Sequence, residues 1–130
     1  AEEGGHIAAE PRRRLATVLA VDVCGYSKAA ERDEQAAIGE VAALFSLFQN
    51  VVAARRGRVF SRQGDGFFAE FASAADGVDA ALEFQARALA RRGDQRGALA
   101  CRAGLHVGDV VEQADGDLLG HGVNVAARLQ

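Results

Sequence analysis

The chain has 130 residues, of which 49% are hydrophobic and 25% charged, as expected for one globular domain. Its formal net charge of -3 provides no general attraction to nucleic acid or to an anionic membrane, so neither is expected as a direct partner. Cys24 and Cys101 lie in apolar runs without metal-ligand spacing, which favours reduced thiols and a cytoplasmic location. Charges or glycines interrupt every apolar stretch before the roughly 18 residues that a membrane helix needs.

Residues 1–11 show no hydrophobic periodicity, and we expect a disordered tail or a remnant of a larger chain. The domain is expected over residues 12–130. Within it, the run LATVLAVDV at 15–23 is apolar at both alternating sets of positions, which predicts a strand buried on both faces. Asp22, near the end of this run, is its only charged residue.

Two long amphipathic helices are predicted after this strand. The first spans residues 34–56 and is ended by Gly57. The second spans residues 73–92, with Ser73 as N-cap and Gly93 beyond its end. The apolar residues predicted to form their inner faces are Ile38, Val41, Phe45, Phe48 and Val52 in the first helix, and Val78, Leu82, Phe84 and Leu89 in the second.

The remaining segments predict strands. Residues 58–71, RVFSRQGDGFFAEF, are typical of a β-hairpin with its turn at 64–66. Residues 99–113 predict a further strand, residues 114–122 a glycine-rich turn, and residues 123–130 the start of a helix. The order βαββαβ predicts an α+β fold with a ferredoxin-like core, in which helices pack on one face of a mostly antiparallel sheet.

Two aspartates, Asp22 and Asp65, occupy β elements with apolar surroundings, where a carboxylate is costly unless it is paired. If the hairpin lies beside the first strand, the two carboxylates converge and can bind Mg²⁺ or Mn²⁺. Turn statistics alone favour a simpler interpretation, in which Asp65 is a turn residue and Asp22 caps the next turn. Gly25, Tyr26 and Ser27, before a helix, can present backbone N–H groups to a phosphate.

Three segments in this order and at these separations resemble the signature blocks of class III adenylate and guanylate cyclases. They are VDVCGYS at 21–27, QGDGFFAEF at 63–71 and GDLLGHGVNVAARL at 116–129. The resemblance runs over residues 15–130 and implies a bacterial-type catalytic domain that is incomplete at its C-terminus. Family domains continue with further strands and a second lysine that contacts the triphosphate.

The resemblance implies a metal site and a phosphate-binding turn. Asp22, Asp65 and the backbone carbonyl of Val23 would hold two Mg²⁺ or Mn²⁺ ions, which assist attack of the ribose 3′-hydroxyl on the α-phosphate. The turn over Gly25, Tyr26 and Ser27 would bind the phosphates, where glycine allows close backbone approach.

Further family positions fall near the end of the chain. Asn124 and Arg128 share one helix face and would orient the ribose and stabilise transition-state charge, respectively. Asp117 and Ser61 occupy the implied base-recognition positions. Asp117 suits adenine because it can accept from the exocyclic amine. Adenylate cyclases of this kind usually carry lysine where Ser61 stands, and Arg62 should point to the opposite face of its strand.

The expected activity is conversion of ATP, with GTP as the alternative substrate, to cyclic AMP and pyrophosphate in intracellular signalling. The family assembles its site between two domains, so the resemblance implies a homodimer for the complete domain. One competing hypothesis is a weakly active or inactive cyclase-homology domain that binds nucleotide or dimerises. A more distant alternative is a diguanylate cyclase, against which the hairpin sequence QGDGF argues because it lacks the GGDEF-like pattern.

Overall fold

The computed structural model describes residues 12–95 and 97–129, and the predicted tail at 1–11 lies outside these ranges. The elements confirm the predicted βαββαβ order. The structure adds a short helix after the first strand and a two-residue strand within the predicted turn at 114–122. They are β1 Arg12–Val23, α1 Tyr26–Arg32, α2 Glu34–Ala54, β2 Arg58–Gln63, β3 Gly66–Phe71, α3 Ala74–Asp94, β4 Cys101–Glu112, β5 Leu118–Leu119 and α4 His121–Leu129. The class is α+β, as the sequence predicts.

The five strands form one sheet in the order β2-β3-β1-β4-β5, and every neighbouring pair is antiparallel. β1 is central. It pairs with β4 from Arg12 to Val23 and with β3 from Thr17 to Asp22. Its backbone is therefore satisfied on both edges, which matches the apolar, β-branched run that predicted a central strand.

Alternate side chains of β1 enter two separate cores on opposite faces of the sheet. Leu19, Val21 and Val23 pack with the buried sides of α2 and α3, on what we call the long-helix face. Ala16, Val18 and Ala20 pack with Ala126 of α4, on what we call the α4 face. The two long helices share one face, as predicted. The short α4 covers the other face because the second apolar side of β1 also requires burial.

The helix α2 begins where Asp33 caps it, since the Asp33 side chain accepts a hydrogen bond from the Ala36 amide at 3.1 Å. With a mean hydropathy of 1.5, α2 is long and apolar enough to cross a membrane, contrary to the expectation from its interrupting Gly39 and Glu40. This single helix is weak evidence for a span, because Leu44 and Phe48 are fully buried against the sheet. The same composition is typical of a core helix.

The two long helices do not end where the sequence predicted from Gly57 and Gly93. α2 ends at Ala54, and the left-handed residue that follows is Arg56, with φ of 62°. Gly57 has a different role: a Cβ there would lie 2.4 Å from the Phe71 ring, so glycine allows the chain to pass over β3. α3 continues through Gly93 to Asp94.

The predicted inner face of α3 was wrong at three of its four positions. Phe84 is buried as expected, but Val78, Leu82 and Leu89 are exposed. The buried residues are Gly77, Ala80, Phe84 and Ala88. Small residues face the sheet because α3 lies close to it: a Cβ at Gly77 would lie 2.8 Å from the Thr17 methyl group. Predicting the inner face from the largest apolar residues therefore selected the wrong side.

A row of ion pairs crosses four strands at one end of the α4 face. Arg58 on β2 pairs with Glu70 on β3 at 2.6 Å, Glu70 pairs with Arg14 on β1 at 2.7 Å, and Arg14 pairs with Glu112 on β4 at 2.9 Å. The Glu70 side chain is only 11% exposed. Burial raises the pKa of Glu70, but hydrogen bonds from Arg14 and Arg58 outweigh it and hold the pKa below 4.5.

This pKa shift predicts how Glu70 contributes to stability with pH. Because the folded-state pKa is lowered, the stabilisation is complete above about pH 4.5 and is lost as pH falls through the lower folded value. Glu70→Gln should therefore lower the free energy of unfolding at neutral pH and make its decline with acid shallower. Urea unfolding across pH measures both effects. Glu31→Gln on α1 is the matched control, and an identical pH profile for the two variants would contradict the prediction.

Candidate active site

Strand pairing brings Asp22 and Asp65 to the same end of the sheet. Asp22 on β1 stands opposite Gly66, the first residue of β3, and the Val23 amide donates to the Asp65 carbonyl at 2.9 Å. The turn between β2 and β3 is thus fixed against the end of β1. Asp22, Val23 and Asp65 line one solvent-open cavity of about 480 Å³. The two aspartates that the sequence analysis proposes as metal ligands therefore line the same cavity.

The turn that follows β1 lines the same cavity. Gly25 has φ of 80°, a left-handed conformation, and α1 starts directly after it. The Gly25 carbonyl accepts from the Ala29 amide at 3.1 Å, so the amides of Tyr26, Ser27 and Lys28 precede the first intrahelical bond. No side chain caps this helix start. These amides are consequently available to an anion in the cavity, where Tyr26, Ser27 and Lys28 are all lining residues.

Arg102 on β4 is a lining residue that the sequence analysis did not identify. It pairs in register with Asp22, and its guanidinium Nη2 lies 3.0 Å from Asp22 Oδ2. This hydrogen bond to Asp22 raises the pKa of Arg102 above its ordinary value. The arginine places a permanent positive charge beside the carboxylates. No local pattern indicated it, since 80 residues separate the two partners.

The ligand atoms around this cavity suit a hard divalent cation. The described residues, 12–95 and 97–129, contain no group of three or more His, Cys, Asp or Glu side chains that could hold a metal. A cation bound by Asp22 and Asp65 would therefore need backbone, water or substrate oxygens to complete its shell. Mg²⁺ commonly binds in this way, through one or two carboxylates and substrate phosphates. The oxygen-only donor set fits Mg²⁺ or Mn²⁺ and not a soft metal.

Ser61 lies on β2, opposite Phe68 of β3. Because paired residues share a sheet face, and Phe68 packs into the core beneath α4, Ser61 belongs to the α4 face. Arg62 lies on the long-helix face, with its guanidinium carbon 4.8 Å from the centre of the Phe45 ring. The prediction that Ser61 and Arg62 point in opposite directions is confirmed.

Asp117 lies in the turn between β4 and β5, and the described lining of the metal-site cavity does not include it. The turn follows the end of β4 that pairs with Arg12, whereas Asp22 is ten residues further along β1. At about 3.3 Å per residue, roughly 30 Å of strand separates these two ends. Asp117 Oδ1 accepts from the Leu118 amide at 2.8 Å. Within one chain, Asp117 therefore lies far from Asp22.

Asn124 and Arg128 are exposed on the outer side of α4, whose opposite side is buried through Gly122 and Ala126. A Cβ at Gly122 would lie 2.9 Å from the Asp109 carbonyl, so this glycine lets α4 pack directly on the β4 backbone. The shared face predicted for Asn124 and Arg128 is present. The described lining of the cavity at Asp22 and Asp65 contains neither residue.

The site residues therefore form two groups within one chain. Asp22, Asp65 and the turn at Gly25 share one cavity, whose described lining does not include Asp117, Asn124 or Arg128. Side chains two residues apart in a strand lie on the same face of the sheet. Asp22 therefore shares the α4 face with Val18 and Ala20. Asn124 and Arg128 are exposed on α4, which covers this same side of the sheet.

Comparison with known proteins identifies the family. No family model matches the chain. The crystal structure of an adenylate/guanylate cyclase/hydrolase from Silicibacter pomeroyi is 35% identical, with a TM-score of 0.75, over 92% of this chain and 71% of that one. The chain belongs to the class III adenylate/guanylate cyclase family.

Two further cyclases agree with this family. "Putative adenylate cyclase 3" from Rhizobium meliloti (strain 1021) is 41% identical over 122 residues, which is 92% of this chain. A bacterial light-regulated adenylyl cyclase superposes with a TM-score of 0.86 at 25% identity, over 92% of this chain. This cyclase domain spans 21% of the length of the first protein and 40% of the second.

The left-handed turn at Gly25 generates a prediction about stability. A Cβ there would meet nothing within 4 Å, so Gly25→Ala should act only through backbone strain and destabilise the domain by about 1–2 kcal/mol. Gly39→Ala is the matched control, because Gly39 lies inside α2 with equally open surroundings and should gain about 0.5–1 kcal/mol. Urea unfolding measures both, and equal effects of the two substitutions would contradict the account of this turn.

Proposed function

We propose that the protein containing this chain is an adenylate cyclase that converts ATP to cyclic AMP and pyrophosphate. The observation that carries the proposal is the single cavity lined by Asp22, Asp65 and the turn at Gly25. It combines two carboxylates for cations with free backbone amides for an anion, which is the combination that a metal–triphosphate complex requires.

The proposed cofactors are two Mg²⁺ or Mn²⁺ ions per site, held by Asp22, Asp65 and the carbonyl of Val23. Such ions, when bound, supply charge neutralisation on the triphosphate and a lowered pKa for the attacking hydroxyl. Asp22 must exchange its ion pair with exposed Arg102 for a cation, which costs little because that pair is solvent-screened. Arg102 would then be free to contact the phosphates.

The triphosphate is proposed to bind across the turn formed by Gly25, Tyr26 and Ser27. Its amides precede the first intrahelical hydrogen bond of α1, and the lining residues Lys28 and Arg102 add positive charge. A net negative chain can hold a polyanion here because the positive groups are concentrated at one place. Reaction then requires positioning and charge stabilisation, with no covalent step on the protein.

The remaining site residues are proposed to come from a second copy of the domain. Asn124 would orient the ribose of the nucleotide held by the partner, and Arg128 would stabilise the charge that develops on its triphosphate. Both side chains are exposed on α4 and face the same side of the sheet as Asp22. A homodimer with two-fold symmetry would complete two equivalent sites, since each copy would donate both groups.

Base recognition is proposed to use Asp117 and Ser61. Asp117 favours ATP because a carboxylate oxygen accepts from the exocyclic amine of adenine. Ser61 lies on the α4 face and supplies a short hydroxyl, which can donate or accept. We therefore propose ATP as the substrate and expect weaker exclusion of GTP than a lysine at position 61 would give.

The proposed location is the cytoplasm, where the nucleotide substrate is present, either as a free protein or as a domain of a larger signalling protein. The net charge of -3 supports no nucleic acid partner. We propose no direct membrane contact for the described residues, since the apolar side of α2 is buried in the core.

Activity of the full-length protein tests the proposed function. With Mn²⁺ and ATP, Asp22→Asn should lower kcat/KM by a factor on the order of a hundred or more, because the metal site loses a charged ligand. Asp79→Asn on α3 removes an equal charge from an exposed position and should leave activity unchanged. Equal activity of Asp22→Asn and the wild-type protein would contradict the proposal.

The same measurements separate catalysis from nucleotide sensing. A domain that only senses nucleotide should bind ATP in a metal-dependent manner and form no cyclic product. Metal-dependent ATP binding without turnover by the wild-type protein would therefore favour the inactive cyclase-homology alternative.

A further inference from the structure

The turn that carries Asp117 is attached to β2, three strands away in the sheet. Arg58 Nη2 donates to the Gly116 carbonyl at 2.8 Å, and these two residues are 58 positions apart in the chain. The guanidinium also lies close to the Gly116 Cα, since a Cβ there would lie 3.2 Å from Arg58 Nη1. Gly116 also has φ of 90°, which favours glycine. The turn therefore rests directly on one guanidinium group.

The turn behaves as one unit because its own hydrogen bonds close it. The Gln113 amide donates to the Asp117 carbonyl at 2.9 Å, and the Gly116 amide donates to the Gln113 carbonyl at 2.9 Å. The Asp117 carboxylate accepts from the Leu118 amide at 2.8 Å. Any displacement of Gly116 therefore carries Asp117 with it.

Arg58 is itself held in place by the row of ion pairs on the α4 face. Its Nε donates to Glu70 Oε2 at 2.8 Å, and Glu70 is held from the other side by Arg14. Arg14 also pairs with Glu112, the last residue of β4 before the turn. The contacts therefore run from Glu112 at the base of the turn, through Arg14, Glu70 and Arg58, to Gly116 at its tip. The turn is consequently fixed both at its base and at its tip.

We propose that Arg58 is a positioning residue that sets the placement of Asp117 and thereby the preference for adenine over guanine. The inference rests on the proposed base-recognition role of Asp117. It follows from the geometry because Arg58 lies three residues before Ser61 on β2. One guanidinium thus links the turn carrying Asp117 to the strand carrying Ser61, the two groups proposed to read the base. Without that link, Asp117 keeps its charge but not its placement.

The ratio of kcat/KM for ATP to kcat/KM for GTP, in the full-length protein with Mn²⁺, tests the inference. Arg58→Met should lower this ratio roughly tenfold through the KM for ATP, the scale of one charge-assisted hydrogen bond. Arg58→Lys keeps the charge but lacks the fork that serves Glu70 and Gly116 together, and should restore the ratio only in part. Arg55→Gln removes an ion pair on the long-helix face and should leave the ratio unchanged.

A double-mutant cycle with Asp117→Asn distinguishes positioning from general stabilisation. If Arg58 acts through Asp117, adding Arg58→Met to Asp117→Asn should change the ratio no further. An unchanged ratio in Arg58→Met, with the ratio lost in Asp117→Asn, would overturn the inference and leave the proposed function intact. An unchanged ratio in Asp117→Asn itself would instead reject the base-recognition role on which the inference rests.

Amide hydrogen exchange measures whether the turn is held in place, and it does not depend on enzyme activity. In Arg58→Met we expect exchange at residues 116–118 to rise roughly tenfold relative to Arg55→Gln, because the tip of the turn is released. Arg58→Lys provides the same measurement if the methionine variant does not fold. Unchanged exchange at these residues in a folded variant would overturn the inference.

Discussion

Burial of β1 on both faces is the constraint on which the rest of the structure depends. The strand pairs with β3 and β4 along its edges, and its alternate side chains enter two cores. One core requires the long helices and the other requires α4. The strand ends at Val23, and the pairing of Asp22 with Gly66 sets the hairpin turn and Asp65 beside it. Asp22 and Asp65 are thus positioned by backbone hydrogen bonds between strands.

The same sheet explains why the site is divided. Strand length separates the end of β1 that carries Asp22 from the turn that carries Asp117, and α4 presents Arg128 outward from the sheet. A single chain therefore holds the proposed site residues in two separate groups. In the proposed homodimer, two-fold association would bring the first group of each copy to the second group of the other. Cyclisation would then depend on assembly as well as on the metal carboxylates.

Sequence predicted the parts of the structure that depend on local patterns. The two-sided strand, the hairpin at Asp65 and the Ser73 cap follow from spacing and turn chemistry, and all three are present. The face of α3 was wrong because close helix–sheet packing selected Gly77 over larger residues such as Leu82. Arg102 and the row of ion pairs through Glu70 were missed because their partners are distant in the chain. The roles of all the site residues are proposals based on the family resemblance, including those of Asp22, Asp65 and the turn at Gly25.

Complementation between two inactive variants tests the divided site most directly. Asp65→Asn lacks a metal carboxylate and Arg128→Gln lacks the partner's cation, so each full-length homodimer should be inactive with Mn²⁺ and ATP. Mixed in equal amounts and allowed to exchange subunits, half the dimers become mixed and each contains one intact site, so activity should recover to roughly a quarter of wild type. Subunit exchange without any recovery of cyclic AMP formation would contradict a site shared between two copies.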